Sequence, residues 1–290
     1  IKKAASSSCN RRYNCLVPIS GGRDSIYILY YAKNILKLKP LAVHFNNGFV
    51  TNEALNNINH AIKYVGADII TYRLNPHFLK KLMKGFFLEN GEFCTPCNKA
   101  KKFVAYKFAM KNSIDLILQG ISYKFDKNHA VENFNEVFDK GETQFFEIID
   151  KFLTKQEIEE YRDYLYQKEW IPENIKTIDI LDHISYNFNT VNKVLLNELK
   201  WKNPMGQFFH GDCILNPFVN YCLYKKYGYS EKQVFISNYL KYGQIDKEKA
   251  KKLLLSEEIK NLPINLIEVL KNYFDISMSQ FENCIKKNWG

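Results

Sequence analysis

The sequence predicts an α/β fold built on a doubly wound parallel sheet, followed by a mainly helical C-terminal part. Three observations carry this expectation. Short apolar runs alternate with stretches of helical spacing through residue 119, turn signals close those runs, and from about Lys127 the pattern turns to polar and aromatic helical stretches with no further clear strand. The expected division is an α/β domain over 1–126 and a helical substrate or partner region over 127–290.

The elements follow in order. Leu16, Val17 and Ile19 form an apolar run of the kind that a buried parallel strand shows. From Ile26 the apolar positions Ile26, Leu29 and Tyr30 return at helical spacing, so a helix is expected over about 25–37. Pro40 to Phe45 reads as the next strand, and Asn46-Asn47-Gly48 as its turn. Asn52 to Tyr64 places Leu55, Ile58 and Ile62 on one helical face, and Asp68 to Arg73 is a third strand. Ala100 to Lys111 reads as a helix, and Asp115 to Gln119 as a strand ending at Gly120. In a parallel sheet, ligands sit at the carboxyl ends of the strands, so the 20–25 loop, the 45–48 turn and Gly120 are expected on one edge. Further helices are expected at Thr154 to Gln167, capped by Thr154 with Gln156 and Glu157 in the first turn, at Pro217 to Gly228, and at Asp246 to Leu255. There is no internal repeat and no low-complexity linker.

The junction between the first strand and the first helix carries the chemistry. In Ser20-Gly21-Gly22-Arg23-Asp24-Ser25 the two glycines can adopt angles closed to other residues and let main-chain N–H groups approach an anion. The helix that follows aims its unpaired amides and positive dipole end at the same point. Ser20 and Ser25 add hydroxyls and Arg23 a fixed positive charge. A carboxylate beside a phosphate is repulsive unless a divalent cation lies between them, so Asp24 implies Mg²⁺. The spacing is neither that of the Gly-Lys-Ser/Thr nucleotide loop nor that of a dinucleotide Gly-x-Gly-x-x-Gly turn.

Composition narrows the class. The chain has 290 residues, 46% hydrophobic and 25% charged, which suits a globular protein with a sizeable core, and no apolar run is long enough to cross a bilayer. No signal-peptide pattern opens the chain, and its first residue, Ile1, leaves room for residues upstream. Seven cysteines, an odd number, argue for reduced thiols or metal ligands in a cytoplasmic protein. The net charge of +10 invites a nucleic-acid reading, but Lys is spread over stretches such as 99–111 and 247–252, where a solvated helix face accounts for it. Cys94-Thr-Pro-Cys97 opens a predicted helix, where two sulfurs can share a metal or form a redox disulfide. Cys213, in His210-Gly-Asp-Cys213, is the best third ligand because its neighbours are small and polar. Such a trio suits a 4Fe-4S cluster with one exchangeable iron, or Zn²⁺ with an open site.

The Ser20–Ser25 loop resembles the SGGxDS pyrophosphate loop of the PP-loop ATP pyrophosphatases, the adenine nucleotide alpha-hydrolase-like superfamily with a HUP-like sheet. The resemblance implies cleavage of ATP between its α- and β-phosphates. Ser20, Gly21, Gly22, Arg23 and Ser25 then grip pyrophosphate, Asp24 holds Mg²⁺, and Arg23 and Asp24 are the catalytic pair. The strand ends at Phe45 and Gly120 bound the adenosine, and Asn46 and Asn47 are either ligands or turn residues.

Two branches of that superfamily compete. The CxxC pair with a later Cys213 resembles PP-loop tRNA-thiolating enzymes, in which the free iron of a cluster holds the transferred sulfur. The order of the loop, Phe45-Asn-Asn-Gly48, Glu198-Leu-Lys-Trp-Lys-Asn-Pro204, Asp212-Cys213 and Tyr242-Gly-Gln-Ile-Asp-Lys-Glu-Lys-Ala250 resembles the N-acetyl sugar amidotransferases of lipopolysaccharide and other surface-glycan biosynthesis, over about 14–255. That resemblance implies a sugar or nucleotide-sugar substrate and a glutaminase subunit supplying ammonia, in an assembly that a homodimer would also fit. Two features depart from that family: Arg23 replaces a commoner Lys, and a Cys-rich segment before the loop is absent or upstream. The thiolase signature Gly-His-x-x-Asp-Asp is missing, the chain reading Gly120-Ile-Ser-Tyr-Lys-Phe-Asp126, which favours the amidotransferase; tRNA is the partner only under the alternative. A non-catalytic nucleotide-binding protein is the third reading, and it predicts ATP binding without release of AMP.

Overall fold

The structure, a computed structural model, describes residues 11–122, 145–167, 171–204, 210–255 and 267–286. In chain order these form β1 (Cys15–Pro18), α1 (Arg23–Tyr30), β2 (Pro40–Phe45), α2 (Asn52–Val65), β3 (Asp68–Tyr72), α3 (Pro76–Asn90), α4 (Cys94–Lys111) and β4 (Leu116–Gln119). There follow α5 (Phe145–Phe152), α6 (Lys155–Glu160), α7 (Arg162–Leu165), β5 (Lys176–Asp179), α8 (Phe188–Asn197), α9 (Asn216–Tyr227), α10 (Glu231–Lys241), α11 (Lys247–Leu255) and α12 (Met278–Lys286).

The chain folds as two compact units that interleave along the sequence. One collects Ile1–Arg73, Ala100–Lys124 and Tyr166–Ile214, the other Leu74–Lys99, Phe125–Leu165 and Leu215–Gly290. The single boundary expected at 126–127 lies outside the described residues.

The first unit holds a five-stranded, all-parallel sheet in the order β3-β2-β1-β4-β5. Cys15 to Val17 are fully buried, as an apolar run in a central parallel strand should be. The chain moves from β1 outward through β2 to β3, then returns to β4 on the other side of β1. The switch point therefore lies at the carboxyl end of β1, where open α/β sheets bind ligands. The 20–25 loop, the 45–48 turn and Gly120 follow β1, β2 and β4, so all three lie on that edge.

β5 corrects the expectation that no strand follows residue 127. Lys176-Thr-Ile-Asp179 is a four-residue edge strand, paired with β4 through Leu116 to Gln119, with its two leading side chains exposed. An edge strand open to solvent needs no apolar run, so no pattern betrays it. The first helix also differs from expectation: its α-helical part ends at Tyr30 and continues as a π-helical turn over Tyr31–Ile35.

In the second unit α3, a helix that the sequence analysis does not assign, begins where Asn75 Oδ1 accepts the His77 and Phe78 amides and Pro76 takes the first position. It ends at Gly91, φ +70°. Its Phe87 stacks on Phe93 at 4.4 Å, and the rings of Phe218, Phe274 and Phe281 close a buried aromatic cluster around them. Thr154 caps α6 through a reciprocal capping box with Glu157, but the helix expected to reach Gln167 breaks at Tyr161. Phe87→Ala should remove the centre of the aromatic cluster and lower the stability of this unit by about 3–5 kcal/mol, read from its denaturant midpoint.

Candidate active site

The loop after β1 is closed on itself. Ser25 Oγ accepts the Ser20 amide at 3.1 Å and donates to the Gly22 carbonyl at 3.1 Å, while Ser20 Oγ lies 3.3 Å from Ser25 Oγ and accepts the Gly22 amide at 3.4 Å. The two hydroxyls thus staple the turn. Gly22 precedes α1 in an extended conformation with no side-chain cap, so the first turn of the helix presents its amides with no capping oxygen in front of them.

Gly21 is fixed from three directions. Its φ of +87° suits glycine alone, and a Cβ there would lie 2.3 Å from the Ala54 carbonyl oxygen at the start of α2. Its own carbonyl accepts Asn57 Nδ2 at 3.1 Å and the Trp201 indole N–H at 3.1 Å. Asn57 is buried and also brackets Lys202, donating to its carbonyl and accepting its amide, each at 2.8 Å. The Glu198–Pro204 segment therefore clamps the loop from behind. Gly120 serves the opposite side, since a Cβ there would meet the Asp24 backbone at 3.1 Å.

Arg23 is buried, its guanidinium forked onto both oxygens of Asp24 at 2.9 and 3.0 Å and 4.5 Å over the Phe188 ring. Asp24 takes a further hydrogen bond from the Tyr186 hydroxyl at 2.5 Å and stays partly exposed. The positive charge that the sequence offers to a phosphate is engaged here by its neighbour. Asn46 and Asn47 each accept an amide two residues on, of Gly48 and Phe49, so their carbonyls shape the turn; Phe45, the last residue of β2, is half-buried.

Two side chains beside the loop escape the sequence reading as site residues. The Asp212 carboxylate faces Gly22, whose missing Cβ would stand 3.8 Å from it. Its segment is pinned to the β2–α2 connection by the Thr51 amide on the Asp212 carbonyl, the Thr51 hydroxyl on the Gly211 carbonyl, and an antiparallel bridge between Val50 and Cys213. His44, buried in β2, donates from Nδ1 to the Ile19 carbonyl at 2.9 Å, and its Nε2 is buried with no hydrogen-bond partner. Burial pushes its pKa down, against the smaller opposing pulls of the Ile19 carbonyl and Asp212. The signal that could have found Asp212 is its place in the quoted motif; His44 has none beyond its strand.

Cys94 and Cys97 belong to the second unit and Cys213 to the first, and among the described residues no three His, Cys, Asp or Glu side chains stand together as a group able to hold a metal ion. Cys222 and Cys284 are buried thiols within α9 and α12.

Residues 189–289 match the family described as LPS biosynthesis protein WbpG-like, C-terminal domain. That WbpG-like region includes the Trp201 and Lys202 clamp, Asp212 and Cys213. An uncharacterized protein of Methanocaldococcus jannaschii, MJ1599, is 24% identical over 264 residues, 90% of this chain and 78% of its own length. Among solved structures the chain is similar to the U34-tRNA thiolase NcsA from Methanococcus maripaludis with its 4Fe-4S cluster, at 13% identity over 95% of this chain and 89% of that one, TM-score 0.40. It is also similar to NMN synthetase from Francisella tularensis, at 12% identity, 91% and 94% coverage, TM-score 0.34. Likenesses as distant as these do not bear on the chemistry. No described helix is long and apolar enough to cross a membrane.

Gly21→Ala forces a left-handed side chain into the Ala54 carbonyl and should cost at least about 1–3 kcal/mol, measured by chemical denaturation. His44 is buried neutral, so the native state binds fewer protons than the unfolded chain once pH falls below the unfolded value of about 6.5. Stability should therefore drop as pH falls through about 6.5 and below, and His44→Gln should flatten that part of the pH profile.

Proposed function

We propose that this chain is a PP-loop ATP pyrophosphatase that amidates a carbonyl group of a sugar in surface-glycan biosynthesis, forming AMP and pyrophosphate. The observation that carries this reading is the Trp201 hydrogen bond to Gly21, because it ties the phosphate-type loop to the WbpG-like region within one site.

The chemistry is two displacements. A carbonyl oxygen of the substrate attacks the α-phosphorus of ATP and pyrophosphate leaves; ammonia then adds to the carbonyl carbon and AMP departs with that oxygen. The protein's part is positioning and charge neutralisation. The Gly21 and Gly22 main chain and the first turn of α1 bind the leaving pyrophosphate, in a loop whose shape the two serine hydroxyls hold. Mg²⁺ is bound by one or two carboxylates together with phosphate oxygens and water, and Asp24, partly exposed at the start of α1, fits that role. The ion would supply further neutralisation of the phosphates. Arg23, Tyr186 and Phe188 hold Asp24 in place and so act as positioning residues. Asp212 faces the loop from the WbpG-like region and is suited to a hydroxyl or ammonium donor of the substrates. The ammonia source in this reading is a glutaminase partner, and the protein acts in the cytoplasm.

The alternative, iron–sulfur-dependent sulfur transfer to tRNA or a small molecule, needs Cys94, Cys97 and Cys213 around one cluster, which iron and sulfide analysis of anaerobically purified protein reads directly. Incubation with ATP, ammonium and N-acetylated nucleotide sugars should give AMP and pyrophosphate in equal amounts with a nitrogen-containing sugar product; ATP binding with no AMP would overturn the enzymatic reading. Asp24→Asn keeps an acceptor for Arg23 but removes the charge, and should lower kcat by at least about a hundredfold in a pyrophosphate-release assay while leaving the fold intact.

A further inference from the structure

The second unit holds a basic cavity that the ATP chemistry does not use. His77, Lys80, Lys81 and Lys84 stand three and four residues apart along α3, which puts them on one face of the helix. With Phe274 and Asp275 they line a cavity of about 230 Å³. Phe274 is fully buried and gives it an apolar wall, and the three lysines are half-buried.

The charges around the cavity are unevenly matched. Lys81 Nζ donates to both oxygens of Glu157, at 2.9 and 2.7 Å, so its charge is already spent. Lys84 Nζ donates to the Asp275 carbonyl at 2.6 Å and to its carboxylate at 3.3 Å; that carboxylate is 90% exposed, so exchanging it costs little. Lys80 Nζ lies 5.5 Å from the centre of the Tyr273 ring, and among the described residues no hydrogen bond or ion pair engages the Lys80 ammonium or the His77 ring. The lining therefore offers two ammonium groups against one loosely held carboxylate, with an imidazole as a further donor. An ammonium is a compact point charge suited to phosphate oxygens, whereas a carboxylate is better matched by the fork of an arginine, and no arginine is among the described residues that line this cavity. Its volume falls below the roughly 300–1,000 Å³ of sites that enclose a whole drug-sized ligand, so it suits a single phosphoryl group rather than a complete nucleotide.

We propose that this cavity binds a phosphoryl dianion, either free inorganic phosphate or the phosphate of a sugar phosphate, with Lys80 and Lys84 as its charged ligands and His77 as a hydrogen-bond donor. On binding, Lys84 exchanges the Asp275 carboxylate for a phosphate oxygen and keeps the Asp275 carbonyl. The assignment does not rest on the ATP reading, since all six lining residues belong to the second unit and the Ser20–Ser25 loop to the first.

The test follows the His77 ring by NMR in the whole chain carrying isotope-labelled histidine, its signal being the one of six that His77→Gln removes. Inorganic phosphate and glucose 1-phosphate are each titrated in EDTA, at constant pH and at an ionic strength fixed with chloride. One or both should give a saturable shift; equal affinities mark free phosphate as sufficient, and tighter binding of the ester marks a sugar phosphate as the ligand. Lys80→Gln should weaken binding about tenfold, and Lys80→Arg should restore most of the loss. Asp275→Asn removes the opposing charge, keeps a residue that tolerates the left-handed φ of +52°, and should tighten binding about threefold. Purely structural roles for these two side chains predict no such pair of opposite changes. A shift that never saturates or that chloride alone reproduces, a Lys80→Gln affinity equal to the parent's, or an Asp275→Asn affinity no tighter than the parent's would each overturn the proposal. Failure of the ATP reading shows separately, in pyrophosphate release.

Discussion

The first unit is organised around one crowded peptide, Gly21. Its left-handed backbone presses on the Ala54 carbonyl, and its own carbonyl takes two buried donors. The starts of α1 and α2 are thereby set against each other, and the 198–204 segment is drawn into the same network through the two hydrogen bonds between Asn57 and Lys202. Here Asn57 and Trp201 spend their donors on main-chain carbonyls, which makes such a network rigid. A side chain at Gly21 would collide with the Ala54 main chain, which has little freedom to yield.

The positive charge of the loop has a different fate from that of a lysine reaching for phosphate. Arg23 lies over the Phe188 ring and forks onto Asp24, so the pair is close to neutral as it stands. Attraction for an anion then falls to the amides and the helix start, which are fixed dipoles and need no rearrangement to act. Tyr186, donating to the same Asp24 oxygen as Arg23 Nε, limits where the carboxylate can turn.

What was legible in the residues follows from what each part of the chain must satisfy. β1, β2 and β4 are mostly buried runs bounded by turns, β3 mixes exposed and half-buried positions, and the Gly-Gly loop between β1 and α1 needs unusual backbone angles, so these leave a mark in composition. β5 left none because an edge strand can be polar, and α3 was missed although Asn75, Pro76 and Gly91 are ordinary start and stop signals. The engagement of Arg23 by its own neighbour could not be read, since the same two residues in another rotamer would face the phosphate. Nor could spacing say that Cys94 and Cys97 fall in one unit and Cys213 in the other, because the chain passes between the units several times.

The Trp201 to Gly21 hydrogen bond spans 180 residues of chain. At ribosomal rates of about 5–20 residues per second, the loop emerges roughly 9–36 s before its clamp is made. For that interval the nascent loop has its sequence but not its shape.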